Sequence, residues 1–391
     1  METISTAHPL LPALFECRNK TETICRPLKT EDYVVQPIEY VSPPKWHLGH
    51  TTWFFEHFIL KEHLPDYRDF HDQYAYIFNS YYEAAGDRII RTQRGNLSRP
   101  TVQEIYDYRA YVDKYLRKLM HSSAVSERVA YLIEIGINHE QQHQELLYYD
   151  IKYILGHNPL MPAYSASVDF PGSPPGSGWI EIPAGVNWIG YNGSDFCYDN
   201  ELAYHQTYTQ SFSIRDSMIT NGEYLEFIES GGYQHVALWH SPGWTWIQEN
   251  KISSPLYWHQ IDGIWNIYTF NGIVEIDLNL PVQHLSYYEA AAFMAWKGWR
   301  LPTEQEWEVA ADHFGWGELW EWTESAYLPY PGYEKEEGAL GEYNGKFMVN
   351  QKVLRGASFV TSEGHSRKTY RNFFHPEDRW QFAGIRPVKD Q

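Results

Sequence analysis

Apolar residues recur at helical spacing through residues 1–160, with few glycines between them, and predict four long helices. The first opens the chain, the second runs from His47 to about His63, and the third covers 101–120 (TVQEIYDYRAYVDKYLRKLM). The fourth is SERVAYLIEIGINHEQQHQELLYYDIKYIL, free of proline and periodic enough to be one helix. Thr101 stands where a cap is needed after Pro100, and Glu104 completes a capping box. Four such helices suggest a bundle. Between them, 76–99 (YIFNSYYEAAGDRIIRTQRGNLSR) is polar, aromatic and arginine-rich, and reads as a functional loop more readily than as a core element. At 163–178 a Pro/Gly/Ser stretch reads as a linker. From Trp179 onward short strand-like runs alternate with Gly, Asn and Pro, and helical pattern is confined to pieces such as 219–230 and 286–297. The expected organisation is therefore α+β: a helical bundle over 1–162, a linker over 163–178, and a loop-rich domain over 179–391.

The fourth helix contains HEQQH, so His139 and His143 share one face a turn apart, which makes a metal clamp. A histidine-rich helix start, PPKWHLGHTTWFFE, offers His47 or His50 as a third nitrogen from another helix of the same bundle. Three neutral imidazoles suit iron(II) and leave positions open, although zinc accepts the same set. HEQQH also fits the zinc-hydrolase pattern HExxH, with Glu140 as general base. Such enzymes draw their remaining ligand from beyond the motif, whereas here the fitting histidine precedes it.

Composition narrows the partners. A formal charge of −19 opposes a phosphate backbone, which argues against nucleic acid. No run approaches the roughly 18 apolar residues of a membrane helix, and the N-terminus fits neither a signal nor a transit peptide, so a cytoplasmic protein without a membrane partner is expected. Cys17, Cys25 and Cys197 are too scattered for a disulfide framework. A small-molecule substrate is favoured. Aromatic residues make up 17% of the chain, which suits either rigid aromatic packing of loops or walls that hold a quaternary ammonium by cation–π attraction. Arg88, Arg91 and Arg94, spaced by three, present guanidinium forks that match a carboxylate. Tyr81 and Tyr82 in FNSYY are phenols able to give a proton if a metal lies near.

EIPAGVNWIG at 181–190, ITNGEYLEFI at 219–228, PVQHLSYYEAAAFMAWKGWRLPTEQEWEVAA at 281–311, ELWEWTES at 318–325, VLRGASF at 353–359 and FAGIRP at 382–387 occur in the order of one family. On these, the second domain resembles the formylglycine-generating enzyme and sulfatase-modifying-factor family, which implies a C-type-lectin-like fold. No cysteine occurs after position 197, so the resemblance extends to the fold and not to that family's cysteine chemistry. The first domain resembles a DinB-like metal-binding four-helix bundle. WHLGHTTWFFE, FNSYYEAAGDRIIRTQRG, LSRPT, NHEQQHQEL and YRNFFHPEDRWQFAGIR extend the resemblance over both domains, to the iron-dependent sulfoxide synthases of thiohistidine biosynthesis and to their ergothioneine branch.

That resemblance implies Fe(II) held by His50, His139 and His143, with His50 preferred to His47 because the family's ligand ends the HxxH motif. It implies Gln142 donating to the substrate imidazole, with Glu140 an ordinary helix carboxylate. Tyr81, then Tyr82, are the implied proton donors. Arg91 and Arg94 are expected to grip the cysteine carboxylate, with Arg88 the member expected to stay solvated. Asn372 is expected to hold the carboxylate of trimethylated histidine, with Phe373 and Phe374 beside its ammonium and Trp380 or Trp244 completing the pocket. Members that use γ-glutamylcysteine carry an acid where Phe374 stands, which argues here for free cysteine. The implied reaction joins cysteine to C2 of hercynine with dioxygen and oxidises the sulfur. Other readings are a selenosugar-using relative that forms selenoneine, a 5-histidylcysteine sulfoxide synthase, a zinc HExxH hydrolase, and a lectin-like binding module with a structural metal. The second of these usually carries an added methyltransferase domain, for which the chain has no room.

Overall fold

The computed structural model describes residues 8–80, 82, 86–122, 125–165, 168, 170–172, 176, 178–335 and 344–390. The chain divides into two compact units, the first reaching Ser165 and the second taking up the chain from Ala166.

Four long helices build the first unit, with a short one at Tyr74–Phe78: α1 (Leu11–Cys25), α2 (Pro44–Phe55), α3 (Val102–Met120) and α4 (Glu127–Gly156). Pro44 opens α2, where its missing N–H leaves no ladder bond unmade. Every residue of α2 is buried, as expected of a helix at the centre of a bundle, and it packs on α3 and α4. Beyond Phe55 it widens into a π turn, Glu56–Leu60, and closes at Lys61–His63. Close approach to α4 is made possible by Gly136, where a Cβ would lie 2.5 Å from the Phe55 ring. The anticipated capping box starts α3: the Glu104 N–H donates to Thr101 Oγ1 (3.2 Å) and the Thr101 N–H to Glu104 Oε2 (2.6 Å). Ser126 caps α4 through its Oγ, which accepts from the Val129 N–H at 3.3 Å. The 76–99 stretch is largely irregular, with a 3-10 turn at Arg91–Asn96, and part of it packs into the core. Phe78, Tyr82, Ile89 and Arg94 are buried, whereas Tyr76, Ile90 and Arg91 are exposed.

In the second unit the sheets are small. β1 (Trp179–Ile182) and β12 (Val388–Asp390) flank β4 (Phe212–Arg215), both antiparallel, so that early and late segments close on one strand. Ile182, Phe212, Ile214 and Val388 from this sheet form a core cluster with Ala310. β2 (Gly185–Ile189) pairs with β3 (His205–Thr209), and β5 (Trp258–Ile261), β6 (Ile264–Thr269) and β7 (Gly272–Glu275) form a meander. β8 (Trp320–Ala326), β9 (Lys352–Arg355), β10 (Asn372–Phe374) and β11 (Ala383–Gly384) make the sheet of order β10-β9-β8-β11.

Helices α5 (Asn221–Glu229) and α7 (Tyr287–Lys297) lie where the pattern puts them. Two further helices form, α6 (Ser241–Glu249), with Pro242 in its first turn, and α8 (Glu304–Ala310). Buried ion pairs fix the irregular chain. Arg386 grips Glu321 through two bonds of 2.7 Å, and Arg371 grips Glu304 at 2.8 and 2.9 Å. Among the described residues no helix is long and apolar enough to cross a membrane.

Candidate metal centre

Helical periodicity sets His139 and His143 on one face of α4, and the buried helix α2 brings His50 to them. Their ligating nitrogens all lie within 4.8 Å of one another, and this is the one such group among the described residues. His50 Nε2 and His139 Nε2 are 3.2 Å apart. The His50 Nδ1–H donates to the Phe78 carbonyl at 2.6 Å, which fixes the tautomer and leaves Nε2 with its lone pair. His143 Nδ1 lies 2.8 Å from His47 Nδ1, and His47 Nε2 lies 2.8 Å from Asp150 Oδ2. His47, the competing third ligand, therefore has both ring nitrogens engaged away from the cluster centre.

Burial holds the three imidazoles neutral. It pushes His139 down to about 3, against the opposing pull of neighbouring Glu140. His50 and His143 are held well below their ordinary value, first by burial and then by the other histidines of the cluster. Neutral nitrogens in a dry core bind a divalent cation without first losing a proton, so the residues fit a metal ion. Three nitrogen donors leave coordination positions for substrate, and they suit iron(II) or zinc.

Glu140 faces away from this cluster. It accepts from Arg18 Nη1 (3.0 Å), Arg109 Nη2 (2.8 Å) and Thr21 Oγ1 (2.7 Å), all buried. Burial would raise its pKa, but Arg109 and Arg18 together bring it down to about 2. A carboxylate committed in this way is not a general base, so the HExxH hydrolase reading lacks its catalytic group. Gln144, one turn on, follows Glu140 and donates to the Cys17 carbonyl at 2.7 Å. Gln142 is half-buried on α4, the residue before His143.

Around the histidines stand aromatic rings. Trp46 stacks on His50 with centroids 4.6 Å apart, and Trp53 lies 5.7 Å from the same ring. The Arg94 guanidinium sits 3.3 Å over Trp46 and donates to Ser42 Oγ (2.9 Å) and Ser80 Oγ (3.0 Å). Arg94, Trp46 and His50 thus form one stack. Arg91 is exposed and donates to the Tyr40 carbonyl at 2.6 Å, whereas Arg88 is half-buried, the reverse of the expected order of exposure. Tyr82 is fully buried, 5.8 Å from Trp53 and 5.3 Å from Phe58, and its N–H donates to Asn79 Oδ1. Tyr81 lies outside the described residues.

The remaining expected residues belong to the second unit. Asn372, Phe373 and Phe374 are half-buried on β10, a strand anchored by the Arg371–Glu304 pair beside it. Phe373 stacks on Tyr327 at 4.1 Å, and Phe374 meets buried Trp380 edge-on at 5.3 Å. Trp244 is half-buried on α6. Asp150 and Trp46 were missed in the sequence, although each had a signal. Asp150 follows His143 by two turns of one helix, and Trp46 precedes His50 by one turn.

Comparison with known proteins bears out the expected pairing of domains. A model of the sulfatase-modifying factor enzyme 1-like domain matches residues 169–318 and 315–391, and a model of the DinB superfamily matches residues 13–147. The chain is 28% identical to a hercynine oxygenase of Mycolicibacterium smegmatis over 90% of this chain and 91% of that relative. It is 29% identical to a hercynine oxygenase of Mycobacterium tuberculosis over 67% of this chain and 72% of the relative. An inactive C-alpha-formylglycine-generating enzyme 2 of Mus musculus is 30% identical over 45% of this chain and 58% of its own.

Proposed function

The chain belongs to the sulfatase-modifying factor enzyme 1-like family, and with that as premise we propose that it is an iron(II)- and dioxygen-dependent hercynylcysteine sulfoxide synthase. It joins the sulfur of cysteine to C2 of hercynine, the Nα-trimethylated histidine, and oxidises that sulfur, a step of ergothioneine biosynthesis. Loss of the thiol and C2 hydrogens, with one dioxygen, yields the sulfoxide and one water. The observation that carries this reading is the convergence of three buried, neutral imidazoles in a chain similar to hercynine oxygenases along most of its length.

His50, His139 and His143 would hold the metal, which supplies the redox chemistry that engages dioxygen. Gln142, the residue before His143 on α4, would donate to the hercynine imidazole and set which ring carbon meets the sulfur. Arg94 and Arg91 would take the cysteine carboxylate, Arg94 already oriented by Ser42, Ser80 and Trp46 and Arg88 adding positive charge nearby. Asn372 would bind the hercynine carboxylate, with Phe373 and Phe374 beside its trimethylammonium. Phe374 supports free cysteine, since a γ-glutamyl amine would find no acid there. Tyr81, or failing it Tyr82, would deliver the proton during sulfoxidation.

Anaerobic reconstitution with Fe(II), then oxygen with hercynine and cysteine, followed by mass spectrometry, tests this. Hercynylcysteine sulfoxide is expected from that pair and not from γ-glutamylcysteine or unmethylated histidine. No coupled product despite bound iron would refute the proposal. Tyr81→Phe is expected to keep iron and substrates while slowing sulfoxide formation by about 10²–10⁴-fold.

A further inference from the structure

We propose that His47 and Asp150 are positioning residues for the metal centre, a relay that sets the tautomer and ring orientation of His143. The inference rests on the reading of His50, His139 and His143 as ligands, and it concerns two residues that take no part in that set.

The geometry is continuous. Asp150 is 2% exposed, and its Oδ2 accepts from His47 Nε2–H at 2.8 Å and from the Ser42 N–H at 2.8 Å. A carboxylate oxygen can only accept, so the His47 proton must sit on Nε2, which leaves Nδ1 as an acceptor. His143 Nδ1 is 2.8 Å from that nitrogen and must therefore carry its own proton. One tautomer of His143 remains, with the Nε2 lone pair available to a metal. A metal-bound imidazole whose other N–H is held by an acceptor is fixed in orientation and made more basic, and loss of such a partner typically weakens metal binding about 10–100-fold.

The relay is also anchored at its far end. The same Ser42 whose N–H holds Asp150 accepts from Arg94 Nη1 on its Oγ at 2.9 Å. His50 lacks any such chain, because its Nδ1–H ends directly on the Phe78 carbonyl. Of the ligands for which a hydrogen-bond partner is described, His143 alone is backed by a carboxylate.

Cobalt(II) titration of metal-free protein, read by visible d–d absorption, tests the relay without turnover. His47→Phe preserves ring volume and removes the acceptor, whereas His47→Asn returns an oxygen near the place of Nδ1. His47→Phe is expected to weaken cobalt binding 10–100-fold and shift the d–d bands, and His47→Asn to recover most of the loss. Wild-type affinity in His47→Phe, or equal losses in both variants, would overturn the proposal, since a packing role would favour Phe over Asn. Should His47→Phe not fold, Asp150→Asn serves: a smaller but measurable loss is expected, and unchanged affinity overturns the proposal. If wild-type protein and His139→Ala bind cobalt equally weakly, the metal-centre reading itself has failed, an outcome distinct from failure of the relay.

Discussion

Two faces of α4 treat buried polar groups in opposite ways. On one, Glu140 and Gln144 are closed by partners from α1 and α3, with Arg18, Arg109 and Thr21 all donating to a single carboxylate. On the other, His139 and His143 meet His50, and burial keeps all three neutral. The first face satisfies its groups internally and holds the bundle together. The second keeps lone pairs converging on a common point, which is what a metal needs and what a core packed for stability avoids. Adjacent residues of a motif that reads HExxH are thus split between structure and chemistry, and the glutamate belongs to structure.

The strongest way to break this comparison is His139→Ala. Complete loss of stoichiometric iron is expected with the helical content of the protein unchanged, checked by metal analysis and circular dichroism. Glu140→Gln should do the reverse. It removes the carboxylate that Arg18 and Arg109 share and leaves each with one partly exposed acidic partner, Asp113 and Glu22, so a stability loss of about 3–5 kcal/mol is expected in urea denaturation, with iron retained by the folded fraction. Arg94→Lys sharpens the boundary of the open face. A lysine can neither fork between Ser42 and Ser80 nor stack flat on Trp46, and about a tenfold rise in the KM for cysteine is expected, with the KM for hercynine little changed. Arg91→Ala is expected to have the smallest effect on folding, within about 0.5 kcal/mol, because its side chain is exposed. Any larger effect on the KM for cysteine would then report contact with substrate.

What the sequence disclosed follows the range of each interaction. The cap of α3 and the shared face of His139 and His143 were legible because they depend on residues within one or two turns. The DinB-like and sulfatase-modifying-factor-like parts were legible through strings of motif residues. The partners of Glu140 were not, because Arg18 and Arg109 lie far away in sequence and nothing local marks them. His47 looked like a rival ligand, since its bond to Asp150 exists only when α2 and α4 pack. The depth of the 76–99 stretch was not legible for a related reason: it reads as a polar, arginine-rich loop, while packing carries Phe78, Tyr82 and Ile89 into the core.

The most direct test of the central claim is the iron content of three proteins reconstituted anaerobically side by side: wild type, His139→Ala and Glu140→Gln. One equivalent, none, and one equivalent are expected, for the folded protein in each case. Loss of iron from folded Glu140→Gln, or equal iron in all three, would contradict the division of α4 into a closed face and a metal-binding face.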